Sequence, residues 1–172
     1  MRANYNLGRV LAKAGSLKEA KTILDSVRVD YRERYGEANP ATAKAEMWLG
    51  YADVRLGDAD AAATLLDGLE LSKAKFTPLM RAQRDGLRAE IAAARHDEAT
   101  MLAARKDAWD QMRSGQGERH PLTAEVGIAY ATALAQAGRA ADARAVAEPL
   151  KAIVADAFAE ESVVRRQLAR WN

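Results

Sequence analysis

Apolar residues recur along this chain at spacings of two to four, the period of helices that bury one face. Tyr5, Leu7, Leu11 and Ala14 mark a first helix from about Ala3, with Gly8 its only internal breaker and Gly15 its end. Ser16 then offers an N-cap oxygen, and Glu19 completes a capping box. Ala20, Ile23, Leu24, Val27 and Tyr31 form the apolar stripe of a second helix, whose other side carries Lys18, Lys21, Asp25, Arg28 and Arg32. The pattern predicts a helical hairpin over about 1–37.

A second hairpin, about 38–76, opens at Asn39-Pro40, where asparagine caps and proline takes the first helical position. Gly57 closes its first helix, and Asp58 caps the next, which carries Ala62, Leu65, Leu66 and Leu69. A third, about 77–119, opens at Thr77-Pro78, but its turn near Ala94-Arg95-His96 lacks a glycine. A fourth, about 120–157, opens at His120-Pro121 and turns at Gly138. Phe158 to Trp171, with Val164, Leu168 and Trp171 between Arg165, Arg166 and Arg170, predicts a capping helix over 158–171.

These hairpins are copies of one another. Gly36-Glu37-Ala38-Asn39-Pro40-Ala41-Thr42-Ala43 returns 81 residues on as Gly117-Glu118-Arg119-His120-Pro121-Leu122-Thr123-Ala124, and the same shift pairs Gly57 with Gly138, Ala62 with Ala143 and Leu69 with Leu150. It also pairs Gly68 with Pro149, two poor helix formers, so a kink or break is expected at both. A shift of 42 sets Leu7-Gly8, Gly15, Ala20 and Leu24 on Leu49-Gly50, Gly57, Ala62 and Leu66. A period near 40 predicts an all-α solenoid in which stacking supplies the core that no hairpin has alone. The third hairpin fits a shift of 79 on Glu98-Ala99 and of 80 on Leu87 and Ile91.

Composition narrows the function. Twenty-six basic against 24 acidic side chains leave a net +2, which argues against a dedicated nucleic-acid binder. The absence of cysteine removes disulfides, thiolate chemistry and cysteine-ligated zinc, and fits a reducing compartment, with cytoplasm expected. No apolar signal core opens the chain and no run of 18 apolar residues occurs, so neither export by that route nor membrane insertion is expected.

Leu7, Gly8, the turn glycine, Ala20 and Leu24 resemble the tetratricopeptide repeat. With the period near 42 and the His/Asn-Pro entry to each pair, the likeness is closer to the longer repeats of kinesin light chains and of many bacterial regulators. The sequence departs from the family at Asn4, Glu46 and Gly127, where an aromatic residue is usual, and at Leu11, Asp53 and Leu134, where tyrosine is common. The resemblance implies a right-handed solenoid of four hairpins plus a capping helix, with first helices lining a concave groove.

Candidate chemistry is scarce. His96 and His120 are far apart in sequence, and His120 sits at a cap position. His96-Asp97-Glu98 are consecutive helix-start residues that point in different directions, a poor metal shell. Glu160-Glu161 and Asp58 with Asp60 read as helix-start acids. With no nucleophile beside a base and no cofactor motif, neither an enzyme nor a cofactor is expected.

What remains is the groove. At about 100° per residue the side of helix one opposite its packing stripe carries Arg2, Tyr5, Arg9 and Lys13. A shift of 42 adds Lys44, Tyr51 and Arg55, and a shift of 79 adds Arg81, Arg84 and Arg88. The fourth hairpin contributes the nearly neutral set Glu125, Ile128, Thr132, Ala135 and Gln136. The expectation is a non-catalytic module that takes an acidic peptide or protein segment. The competing expectation is a regulatory or scaffold segment of a larger bacterial kinase or transcription regulator, its groove filled by its own chain or by self-association, with a homodimer as one form.

Overall fold

Turn chemistry fixes the course of the chain. Gly15, Gly36, Gly57, Gly117 and Gly138 all adopt φ between 75° and 93°, where a Cβ would be strained. The computed structural model describes residues 2–72 and 74–171, with the backbone alone at Trp171. Within them lie α1 (Arg2–Ala14), α2 (Leu17–Tyr35), α3 (Pro40–Arg55), α4 (Ala59–Leu71), α5 (Pro78–Ala94), α6 (Glu98–Gln116), α7 (Pro121–Gln136), α8 (Ala140–Ala147), α9 (Lys151–Ala157) and α10 (Val163–Leu168). Each packs on the next through α8, and α3 also meets α1 and α5, which makes the stack a solenoid of four hairpins. No strand occurs among the described residues.

The repeated octapeptide is a corner between hairpins in which most positions have a task. Gly36 and Gly117 take the positive φ, and Glu37 and Glu118 pair with Arg32 and Arg113 at 2.5 Å. Asn39 accepts the amide of Ala41 at 2.8 Å and His120 Nδ1 that of Leu122 at 3.1 Å, while Pro40 and Pro121 begin their helices. The buried hydroxyls of Thr42 and Thr123 donate back to carbonyls of the preceding segment, on Gly36 and Met112. Ala43 and Ala124 are fully buried.

The shift of 81 holds along the whole molecule. α2 and α6 begin at 17 and 98 and both run 19 residues, and α3 and α7 begin at 40 and 121 and both run 16. It extends to the third hairpin as well, because His96, with φ 59°, occupies the left-handed position that Gly15 holds 81 residues earlier. The register of that hairpin is therefore 81, not 79 or 80. Gly8 and Gly50 correspond to Ala89 and Ala131, both fully buried. Helices touch there: a Cβ on Gly50 would sit 2.8 Å from Leu87.

Three local expectations change. Ser16 makes no side-chain cap bond, whereas Asp58, Thr77 and Asp97 each accept the amide three residues on. Gly68 lies inside an unbroken α4, because glycine keeps its amide donor, while Pro149 does interrupt the chain with a 3-10 turn from Glu148 to Leu150. The cap begins at Val163 rather than Phe158, after a link that turns at Glu160-Glu161, where the Ser162 amide donates to the Ala159 carbonyl at 3.0 Å. Ser162 caps it, and Val164 and Leu168 join Ala124, Ile128, Leu150 and Val154 in a buried cluster. The expectation for the Trp171 side chain falls outside the described residues.

Candidate functional site

The candidate cations of the first two hairpins lie on α1 and α3. Arg2 is exposed, Arg9 and Lys44 are half-buried, and none of the three forms an ion pair among the described residues. Tyr5 packs its ring 6.5 Å from Tyr31 of α2, and burial pushes its phenol up. Arg55 donates to the carbonyl of Ala12 at 3.2 Å, tying α3 to the end of α1. Lys13 sits 5.9 Å from the centre of the Trp48 ring, which is itself 5.4 Å from Tyr51. The Tyr51 hydroxyl donates to the carbonyl of Gln83, and its ring end lies where a Cβ on Gly86 would be. Both tyrosines are thus partly committed to packing, and burial pushes the Tyr51 phenol far up.

The third hairpin contributes differently from its sequence expectation. With a register of 81, Gln83, Gly86 and Glu90 stand at the positions of Arg2, Tyr5 and Arg9. Arg81 is turned toward Gln111 of α6 and the carbonyl of Phe76, at 2.8 Å each. Arg84 and Arg88 converge on the buried Asp85, at 2.9 and 3.3 Å, and Arg88 also binds Glu70 of α4. Glu90 pairs with Arg105. Among the described residues, the candidate cations that form no ion pair are Arg2, Arg9, Lys44, Arg55 and Arg81, and Arg81 is instead committed to Gln111 and a backbone carbonyl.

The fourth hairpin closes on the first. Glu125, at the start of α7, lies 3.6 Å from Lys13 at the end of α1, across the groove. Sequence reasoning named Glu125 as part of a neutral face but missed this pair, since the superhelical winding that brings α7 back to α1 is not a property of any one hairpin. It also missed Trp48, whose position beside Met47 and Tyr51 gave the available signal.

Among the described residues no group of three His, Asp or Glu side chains is placed to hold a metal, and no helix is long and apolar enough to cross a membrane. His120 is engaged at the start of α7, and Asp97 caps α6.

A sequence profile matches residues 43–67 and 124–149, two segments whose starts are again 81 apart. Those two segments match the tetratricopeptide repeat. Crystal structures of a Podosopora anserina protein described as a kinesin light chain with nearly identical TPR-like repeats, and of a single-substitution variant of it, share its fold. They superpose with TM-scores of 0.71 and 0.70 at 20% identity, covering 99% of this chain and 84% of theirs. No curated protein matches the chain in sequence. Its tetratricopeptide repeats support a protein-protein interaction role, the use to which stacked hairpins put a concave surface.

Proposed function

We propose that this tetratricopeptide module binds an acidic, extended protein segment, without catalysing a reaction, at the N-terminal end of its groove. The observation that carries the reading is the segregation of charge. Among the described residues Arg2, Arg9 and Lys44 form no ion pair, with Arg55 and the Glu125-paired Lys13 beside them, while Arg84, Arg88 and Arg105 are neutralised further along. Carboxylates of the ligand meet these cations, and its apolar side chains meet the exposed edges of Trp48, Tyr5 and Tyr51. Each exposed pair contributes on the order of 0.2–1 kcal/mol, so several are needed and salt weakens them together. Isothermal titration of a glutamate-rich peptide against the protein and its Arg9→Glu/Lys44→Glu variant, at low and high salt, tests this. Loss of binding in the variant at unchanged helicity supports it, and equal, salt-insensitive affinities reject it.

The Lys13–Glu125 pair favours a second reading. An acid of the chain's own fourth hairpin already contacts the groove cations. The module then acts as a regulatory segment of a larger cytoplasmic signalling protein, its groove occupied from within. Self-association through α1, where Leu7 and Val10 are about half exposed, fits less well. α1 carries Arg2, Arg9 and Lys13 with no acid, so two copies would oppose like charges.

A further inference from the structure

The shift of 81 relates two surface pockets that share no residue with the groove. The first, about 610 Å³, lies between the end of α2, the start of α3 and the end of α4, lined by Arg28, Arg32, Glu46, Leu65, Gly68 and Leu71. The second, about 220 Å³, is lined by Trp109, Arg113, Glu118, Pro149, Leu150 and Ile153. Arg32 with Glu37 and Arg113 with Glu118 are the same ion pair in both, at 2.5 Å.

Two coupled replacements distinguish the copies. In the second, the Trp109 ring lies under the Arg113 guanidinium at 4.9 Å. Its edge is pressed against Gly127, where a Cβ would fall 2.7 Å from Nε1, and that buried N–H has no acceptor among the described residues. The chain's own indole narrows this pocket to about a third of the volume of the first. In the first, Arg28 replaces Trp109 and is folded back onto Asp25 of its own helix at 2.9 Å, leaving the space open. Glu46 replaces Gly127, so a carboxylate stands where the second copy has no acceptor at all. Glu46 is half-buried, makes no ion pair among the described residues, and is held above its ordinary carboxyl range chiefly by burial. Leu71, 85% exposed, forms an apolar rim.

We propose that the first pocket receives a tryptophan side chain from a partner protein, in the place that Trp109 occupies in the second. The ring lies under Arg32 as a cation–π partner, its N–H donates to the Glu46 carboxylate, and Leu65 and Leu71 cover its faces. A cationic side chain fits less well beside Arg28 and Arg32, and an anion less well beside Glu37 and Glu46. The site is independent of the groove reading, and either can fail alone.

The test follows amide signals of the 15N-labelled protein during titration with N-acetyltryptophanamide, with its indole N-methylated analogue, and with N-acetylphenylalaninamide. Saturable shifts at Glu46, Thr64 and Gly68, with a dissociation constant on the order of 1 mM, are expected for the first. Binding about tenfold weaker is expected for the other two, which lack the N–H. The Arg28→Trp/Glu46→Gly variant copies the narrowed pocket and abolishes the shifts. Gly68→Leu, at a position where a Cβ meets nothing within 4 Å, blocks the pocket by a separate route should the double variant fold poorly. Absence of saturable shifts in the wild type, equal binding of the N-methylated probe, or undiminished binding to Gly68→Leu overturns the proposal.

Discussion

Lys13 of the first hairpin and Glu125 of the fourth stand 3.6 Å apart across the groove. An acidic ligand that uses Lys13 must compete with Glu125 for it. Both side chains remain partly exposed, 51% and 36%, so the contact stabilises by on the order of 0.2–1 kcal/mol. Glu125→Gln is therefore expected to raise affinity for an acidic peptide by up to about fivefold, with the gain shrinking as salt screens the pair. Titration calorimetry at two ionic strengths checks this, and weaker binding would show that Glu125 helps to build the site.

Asp53 is 3% exposed and its carboxylate is met by Lys21 of α2 at 2.5 Å. The first and fourth hairpins have Leu11 and Leu134 at that position, so Asp53 is a polar graft into an apolar seat. Lys21→Met leaves the acid buried and unpaired and should destabilise by roughly 1–3 kcal/mol. Lys21→Met/Asp53→Leu should recover that loss, since a packed apolar pair in a buried site often matches an ion pair. Urea denaturation of the two single variants and the double variant measures the coupling. Additive losses would contradict it.

His96 holds a left-handed backbone, φ 59°, that glycine holds at the equivalent turns of the other hairpins. A side chain there costs about 1–2 kcal/mol, while glycine loses up to about 1 kcal/mol of unfolded-state entropy. His96→Gly should thus stabilise by roughly 0.5–1 kcal/mol. A lowered urea midpoint would mean that the imidazole makes a compensating contact.

The hairpins, their proline entries and their turns were legible because each rests on local chemistry: Asn39-Pro40, Thr77-Pro78 and His120-Pro121 announce helix starts, and turn glycines announce ends. The third register was not, since a histidine in the left-handed region leaves no glycine to align on, and two residues of slip move Arg84 and Arg88 from the groove to Asp85. The break at Pro149 without one at Gly68 follows from the missing amide of proline, which an alignment of poor helix formers does not separate. The Lys13–Glu125 contact and the paired pockets depend on how hairpins stack, which no stretch of sequence encodes alone.

α10 closes the solenoid by setting Val164 and Leu168 on Ile128, Leu150 and Val154. Leu168→Ala should cost about 2–3 kcal/mol at this partly collapsible edge, and removing residues 158–172 should lower the melting temperature further by exposing the fourth hairpin's apolar face. Thermal unfolding followed by circular dichroism checks both. An unchanged melting temperature on truncation would show that α10 is not a cap.

The central claim is that acidic chains lie along the N-terminal groove wall, and mapping an acidic peptide onto the 15N-labelled protein tests it most directly. Saturable shifts should concentrate at Arg9, Lys13, Lys44, Trp48 and Tyr51, fade as ionic strength rises and the Debye length contracts from about 10 Å at 0.1 M to about 3 Å at 1 M, and spare α6 and α8. Shifts centred on α5 to α8, or none at low salt, would contradict it.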